Sequence, residues 1–264
     1  MATAFLTRSG DRKVNYSPPY RIAPMPRLEL HFRPDHWADL KKSGLGDEVI
    51  KQAGVYSLSP NRIAEFFSFS GKTRILPDIQ SALCFPYQSG GFARIKIFPD
   101  HGKMRYVQPP LTSARLYMPV TPSGGKIVIC EGEKKTLAAL QHGLNAVGIG
   151  GVWSWMSKGH AIDDLEKIKL EGADIEIVPD SDVWSRPDLL RAIYALGREV
   201  ESRGAFVEVV QIPGEGKVGL DDYFASGGTI EGYENMDRVQ LRQPSLKVFR
   251  SWYTRWRVAK ELAA

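Results

Sequence analysis

No apolar run in this sequence approaches the roughly 18 residues that a membrane span requires, and no charged start leads into a short apolar stretch as in a secretory signal. A cytoplasmic protein without a membrane partner is the expectation. Cysteine is nearly absent. Cys84 and Cys130 are the only two, each inside an apolar run, so they read as buried thiols rather than as a disulfide. Two isolated cysteines also exclude a zinc ribbon of paired CxxC motifs. The phosphate loop G-x-x-x-x-G-K-[ST] occurs neither at Pro119 to Gly125 nor at Gly214-Glu215-Gly216-Lys217, which removes ATPase motor chemistry of that kind. H-E-x-x-H is missing, and with it that class of zinc hydrolase. Gly148-Ile149-Gly150-Gly151 is too short for a dinucleotide fingerprint and reads as a tight turn.

What remains is an ordinary globular composition: 264 residues, 43% hydrophobic and 25% charged, with a formal charge of +5. The pI near 9.1 favours an anionic partner, nucleic acid among them. Residues 1–33 are rich in proline and arginine without periodicity and read as an extended arm. Residues 34–70 carry helix signals: Asp35 and Asp47 as caps, Gly44 and Gly54 as stops, and proline after Ser59. Residues 71–125 read as a β-rich basic subdomain. In it Arg94 and Lys96 alternate with Ala93, Ile95 and Ile97, and Lys103 and Arg105 return on a partner strand. The tail 231–264 ends in a basic amphipathic helix. Its stripe of Phe249, Trp252, Tyr253 and Trp256 either docks on the body or meets a partner.

The stretch 126–230 organises the chain. The apolar run Ile127-Val128-Ile129-Cys130 breaks off at Glu131-Gly132, and a helical pattern follows. A second run, Ile175-Glu176-Ile177-Val178, breaks off at Pro179-Asp180-Ser181-Asp182. Short β-branched runs alternating with helices predict βαβ units and a parallel sheet. Ligands of such sheets bind beyond the carboxyl ends of the strands, where both acidic clusters fall. Clustered carboxylates there call for a cation, and Mg²⁺ is the hard ion that takes oxygen ligands. A third acidic pair, Asp221-Asp222, follows the glycine-containing segment Gly216 to Gly219, with Asp222 alternatively a helix cap.

Glu131-Gly132 and Asp180-x-Asp182 resemble the signatures of the TOPRIM domain, which bacterial-type primases, type IA and type II topoisomerases and certain nucleases share. Cys84-Phe85-Pro86-Tyr87, Lys103-Met104-Arg105-Tyr106, Pro109-Pro110 and Leu116-Tyr117 are similar to the unit that precedes TOPRIM in bacterial primases. The Glu131-Gly132-Glu133-Lys134-Lys135 and Gly219-Leu220-Asp221-Asp222-Tyr223 segments look most like phage- and plasmid-encoded primase-like proteins. The resemblance covers roughly residues 36–228. It implies an α/β fold: a TOPRIM-type parallel sheet flanked by helices, preceded by a small α+β subdomain. It departs from primases in two ways. Lys135 stands where they usually carry an aspartate, a position at which topoisomerases also lack an acid, and the sequence has no zinc ribbon or helicase domain.

The resemblance further implies a nucleotidyltransferase of mobile-element DNA replication, making primers on single-stranded DNA from nucleoside triphosphates with Mg²⁺ or Mn²⁺. Asp180 and Asp182 would face one ion, Asp221 would complete the site or hold a second, and Glu131 would be a ligand or the base. Lys134, Lys135 and Lys217 would meet triphosphate or nucleic-acid phosphates, and Arg94, Lys96, Lys103 and Arg105 would hold template. A replicative helicase or initiator protein is the implied protein partner. The rival readings are a TOPRIM nuclease and a non-catalytic DNA-binding replication factor.

Overall fold

The computed structural model describes residues 32–68, 79–88, 91–101, 104–110 and 112–263. Nearly all of the expected N-terminal arm, and Lys103, lie outside the described residues.

Helix α1 (Pro34–Lys42) opens on proline, with Asp35 in its first turn and Lys41 and Lys42 in its last, the charge placement the helix dipole favours. In α2 (Asp47–Gln52) the N-cap is Gly46, and Asp47 already belongs to the helix. The chain then forms β1 (Tyr56–Leu58), α3 (Pro60–Ser68), β2 (Ser81–Tyr87), β3 (Phe92–His101) and β4 (Met104–Val107). These strands make an antiparallel sheet in the order β1-β2-β3-β4. Strand β1 was not foreseen in the helical segment. Its pairing, Tyr56 opposite Cys84, joins that segment and the β-rich subdomain in one sheet. Ala93, Ile95 and Ile97 of β3 are buried with Leu58, Ile63, Ala82 and Cys84, which turns Arg94 and Lys96 to the opposite face. Cys84 and Cys130 are both free and buried.

The second sheet is built from β5 (Ile127–Glu131), β6 (Ala146–Ile149), β9 (Asp174–Val178), β10 (Phe206–Val210) and β11 (Arg238–Gln240), after a minor hairpin β7 (Met156–Ser157) and β8 (His160–Ala161). The order is β11-β10-β9-β5-β6. All pairings are parallel except that of the edge strand β11. Helices α4 (Glu133–Gln141), α5 (Pro187–Glu201), α6 (Leu220–Ala225) and α7 (Ile230–Glu234) supply the layers. The period-2 rule sorts the strand residues. Ile127, Ile129, Ile175, Ile177, Val207 and Val209 pack on the α5 side. Val128, Cys130, Val178 and Val210 pack with Leu137 and Ala138 of α4 and with Leu40, Phe85 and Tyr117 of the preceding subdomain. Tyr117 and Gly148 exchange two backbone hydrogen bonds of 2.8 Å, fixing the connection between the sheets. This shared core holds the charged face of β3 against the carboxyl ends of the parallel strands.

Two segments differ in kind from their expectation. The helix expected over 162–169 is a 3-10 turn (Asp163–Lys167), because Asp164 turns inward and its carboxylate accepts the Leu116 N–H at 2.9 Å. After α8 (Pro244–Lys247), α9 (Arg250–Ala263) docks: Phe249, Trp252, Tyr253 and Trp256 pack on the α5-side core. Trp256 lies 5.6 Å from Trp153 and 6.5 Å from Trp155, ring centre to ring centre. Among the described residues no helix is long and apolar enough to cross a membrane.

Candidate functional site

Glu131 is the last residue of β5, and Gly132 (φ 106°) turns the chain directly into α4. A side chain disfavours that backbone conformation, which accounts for glycine behind the glutamate. Asp180 follows β9, and Asp221 lies in the first turn of α6. Strand ends and helix starts bring Glu131, Asp180 and Asp221 to one cleft of about 400 Å³. The same cleft is lined by Glu133, Lys134, Lys135 and Lys217, and from the facing subdomain by Asp39, Arg94, Lys96 and Arg105. Asp182, one turn further on, instead lines an adjoining cleft with Ser181 and Trp184. Asp222 has the capping part: its carboxylate accepts the Gly219 N–H at 2.9 Å.

Asp180 is only 2% exposed. Lys135 Nζ lies 3.0 Å from its Oδ1, and Lys217 Nζ lies 3.0 Å from its Oδ2. Both are charge contacts without hydrogen-bond alignment, so neither carboxylate oxygen has a hydrogen-bond partner. Asp221 is held by the Ser43 hydroxyl, which donates to Oδ2 at 2.7 Å. Gly219 passes over this group: a Cβ there would collide with Lys135 Cε and stand 2.7 Å from Asp221 Oδ1 and 3.1 Å from Asp180 Oδ1. Burial, with the charges of Asp180 and Asp182, raises the Glu131 pKa above the usual glutamate value, against the pull of Lys135 and Lys217. Burial works against the Lys135 ammonium, yet Asp180, Asp221 and Glu131 outweigh it and hold the pKa up to about 12. Burial wins for Lys134, whose pKa is lowered despite Asp39.

The cations of the first sheet are largely engaged. Arg94 Nη1 lies 2.8 Å from Glu133 Oε1, an oxygen that also accepts the Tyr87 hydroxyl at 2.8 Å. Lys96 and Lys134 share Asp39, the latter at 3.3 Å. Arg105 pairs with Asp100 at 2.9 Å but leaves 68% of its side chain exposed. Glu133, Asp39 and Ser43 were not foreseen as cleft residues. Glu133 sits inside the signature and is 1% exposed, but nothing local in the sequence marks Asp39 or Ser43.

Whether a divalent ion fits can be judged from the donors. The described residues contain no group of three or more His, Cys, Asp or Glu side chains at metal-holding spacing. The fit is narrower: both Asp180 oxygens and Asp182 Oδ1 are buried polar atoms without a hydrogen-bond partner, which is the state of an oxygen available to a cation.

Residues 122–230, less than half of the chain, match the family described as Domain of unknown function (DUF3854). No curated protein matches in sequence. Solved structures match in fold. The RNA polymerase domain of the Mycobacterium tuberculosis primase DnaG aligns with a TM-score of 0.58 at 13% identity, over 86% of this chain and 85% of that one. The zinc-binding and RNA polymerase domains of the Aquifex aeolicus primase give 0.56 at 13% identity, over 88% of this chain; only 66% of that chain's length is spanned. A DnaG primase catalytic domain bound to single-stranded DNA gives 0.52 at 15% identity, over 86% and 83%. The α/β fold, with a parallel sheet flanked by helices, is thus that of primase catalytic domains.

Proposed function

We propose that the protein is a primase-type nucleotidyltransferase of mobile-element DNA replication, which builds primers on single-stranded DNA from nucleoside triphosphates. The observation that carries this reading is the buried, hydrogen-bond-free carboxylate of Asp180 in a cleft with Glu131 and Asp221, beyond the carboxyl ends of a parallel sheet. The fold shared with primase domains supports it, one of them bound to single-stranded DNA.

Asp180 and Asp182 would hold Mg²⁺ or Mn²⁺, with Glu131 as a further ligand or as the base. Bound there, the ion supplies the positive charge that phosphoryl transfer needs. Glu131, with its raised pKa, is suited to take the proton of an attacking 3′-hydroxyl, since a base works best near the ambient pH. Ser43 orients Asp221. Lys217, 64% exposed on its stem, can leave Asp180 for an incoming triphosphate. Arg105 offers an exposed cation to template phosphates, which positions a strand without reading its sequence. A helicase or initiator would act as partner from outside this cleft.

A second reading, a DNA-binding replication factor without catalysis, has one observation in its favour: Asp180 already faces two ammonium groups. Purified protein with single-stranded DNA, labelled nucleotides and Mg²⁺ separates the two. Template-dependent product is the expected result. Template cleavage instead would favour the nuclease, and DNA binding with neither product would favour the recruitment factor.

A further inference from the structure

Asp180 has two oxygens and two cations, but those cations are not equivalent. Lys217 approaches Oδ2 from a loop and is 64% exposed. Lys135 approaches Oδ1 from α4, with only 19% of its side chain exposed. Its stem lies beneath Gly219, where even a methyl group would collide with Cε. Lys217 can swing into solvent at little cost. Lys135 has no room to do so, and leaving would strand Asp180 and Asp221 as buried neighbouring charges, which is strongly unfavourable.

From this asymmetry we infer that Lys135 is a tethered cation filling one of the positions around Asp180 that a divalent ion would otherwise take. The site therefore accepts a single divalent ion per chain, on the Oδ2 side that Lys217 guards. This inference rests on the metal-dependent reading above and narrows it. The ion count follows from charge and space. Oδ2 and Asp182 Oδ1 remain free of hydrogen bonds for one ion. A second ion on the Oδ1 side would have to share it with an ammonium that cannot move away, and two cations at such distance repel each other strongly in a site shielded from water. In Lys135 the chain carries its own monovalent substitute, at fixed distance and without dissociation.

Mn²⁺ titration of the full chain, followed by the paramagnetic resonance of free Mn²⁺, counts the ions without reference to activity. Wild type is expected to bind one Mn²⁺ that the Asp180→Asn variant loses. Lys217→Ala should keep the count at one and tighten binding, because the guard has gone. Lys135→Asp should raise the count to two. Because that variant is the one most apt to misfold, Lys135→Met, which keeps length and removes charge, serves beside it. Its Mn²⁺ affinity should rise by roughly tenfold or more once the nearby positive charge is gone. Two Asp180-dependent ions in wild type, or unchanged affinity in a folded Lys135→Met, would overturn the inference while leaving metal-dependent catalysis intact. No Asp180-dependent ion in wild type would overturn both.

Discussion

Glu176 and Asp180 belong to the same strand and its exit, are 3% and 2% exposed, and each lies against cations. The Glu176 carboxylate is saturated. Its Oε2 accepts the Tyr233 hydroxyl at 2.5 Å, its Oε1 accepts Arg238 Nε at 2.8 Å, and Lys126 stands 3.2 Å away. Arg238 is anchored in turn on the Glu234 and Met236 carbonyls at 2.9 and 2.7 Å. The Asp180 carboxylate faces two ammonium groups and takes a hydrogen bond from neither. A larger cleft, about 880 Å³, opens on the Glu176 side, where strands β9 and β10 begin, so cavity size alone would point to the wrong end. The lesson is chemical. A buried acid whose oxygens are all used is a structural member, whereas one left short of partners is available for a ligand.

The sharpest way to break this contrast is to remove the saturated acid. Glu176→Ala leaves Arg238 charged and the Tyr233 hydroxyl unpaired beneath α7, and should cost about 3–5 kcal/mol in urea unfolding, the scale for breaking a buried ion pair from one side. A loss below about 1 kcal/mol would show that the network is not structural.

A smaller effect with a diagnostic sign comes from pH. Tyr233 and Arg238, with Lys126, hold the Glu176 pKa below the usual glutamate value despite burial. Its stabilisation is therefore present above the unfolded glutamate pKa and is lost as pH falls through the lowered one. Glu131, shifted up, behaves oppositely: its contribution is present at low pH and lost as pH rises through the raised value. In chelator, Glu176→Gln should thus lose most stability relative to wild type near neutrality, by about 1.5–3 kcal/mol, and converge on it in acid. Glu131→Gln should match wild type in acid and gain on it as pH rises. Melting curves taken across that range check both, and parallel behaviour of the two variants would contradict the contrast.

The frame of this contrast could be read from the sequence, because each β-branched run of the parallel sheet is a local signal and each ends on its acid. The strands β5 and β9 emerge within a residue of the boundaries the apolar runs suggest. The edge strands β1 and β11 do not announce themselves. Each is three residues long and exists because a longer strand pairs with it. The stripe on α9 is visible as a pattern, but its partners Trp153 and Trp155 come from a loop with no periodicity. Within the cleft, the acids and lysines of the signature are local and legible. The Ser43 contact with Asp221 and the Asp39 contacts with Lys96 and Lys134 are tertiary, made across the two sheets, and no spacing rule reaches them. That tertiary pairing also changes what the basic hairpin can do: Arg94 and Lys96 serve the cleft wall, and Arg105 is left facing solvent.

Asp180→Asn tests the central claim most directly, because it keeps the shape of the side chain and removes its charge. Unfolding free energy and Mg²⁺-dependent synthesis on single-stranded DNA would be measured on the same preparation. The account predicts synthesis lost by at least about 10³-fold, the scale for removing a main electrostatic element, with stability changed by no more than about 1 kcal/mol, since Lys135 keeps Asp221 and Glu131 beside it. Stability lost on the scale of Glu176→Ala, or synthesis that persists, would contradict it.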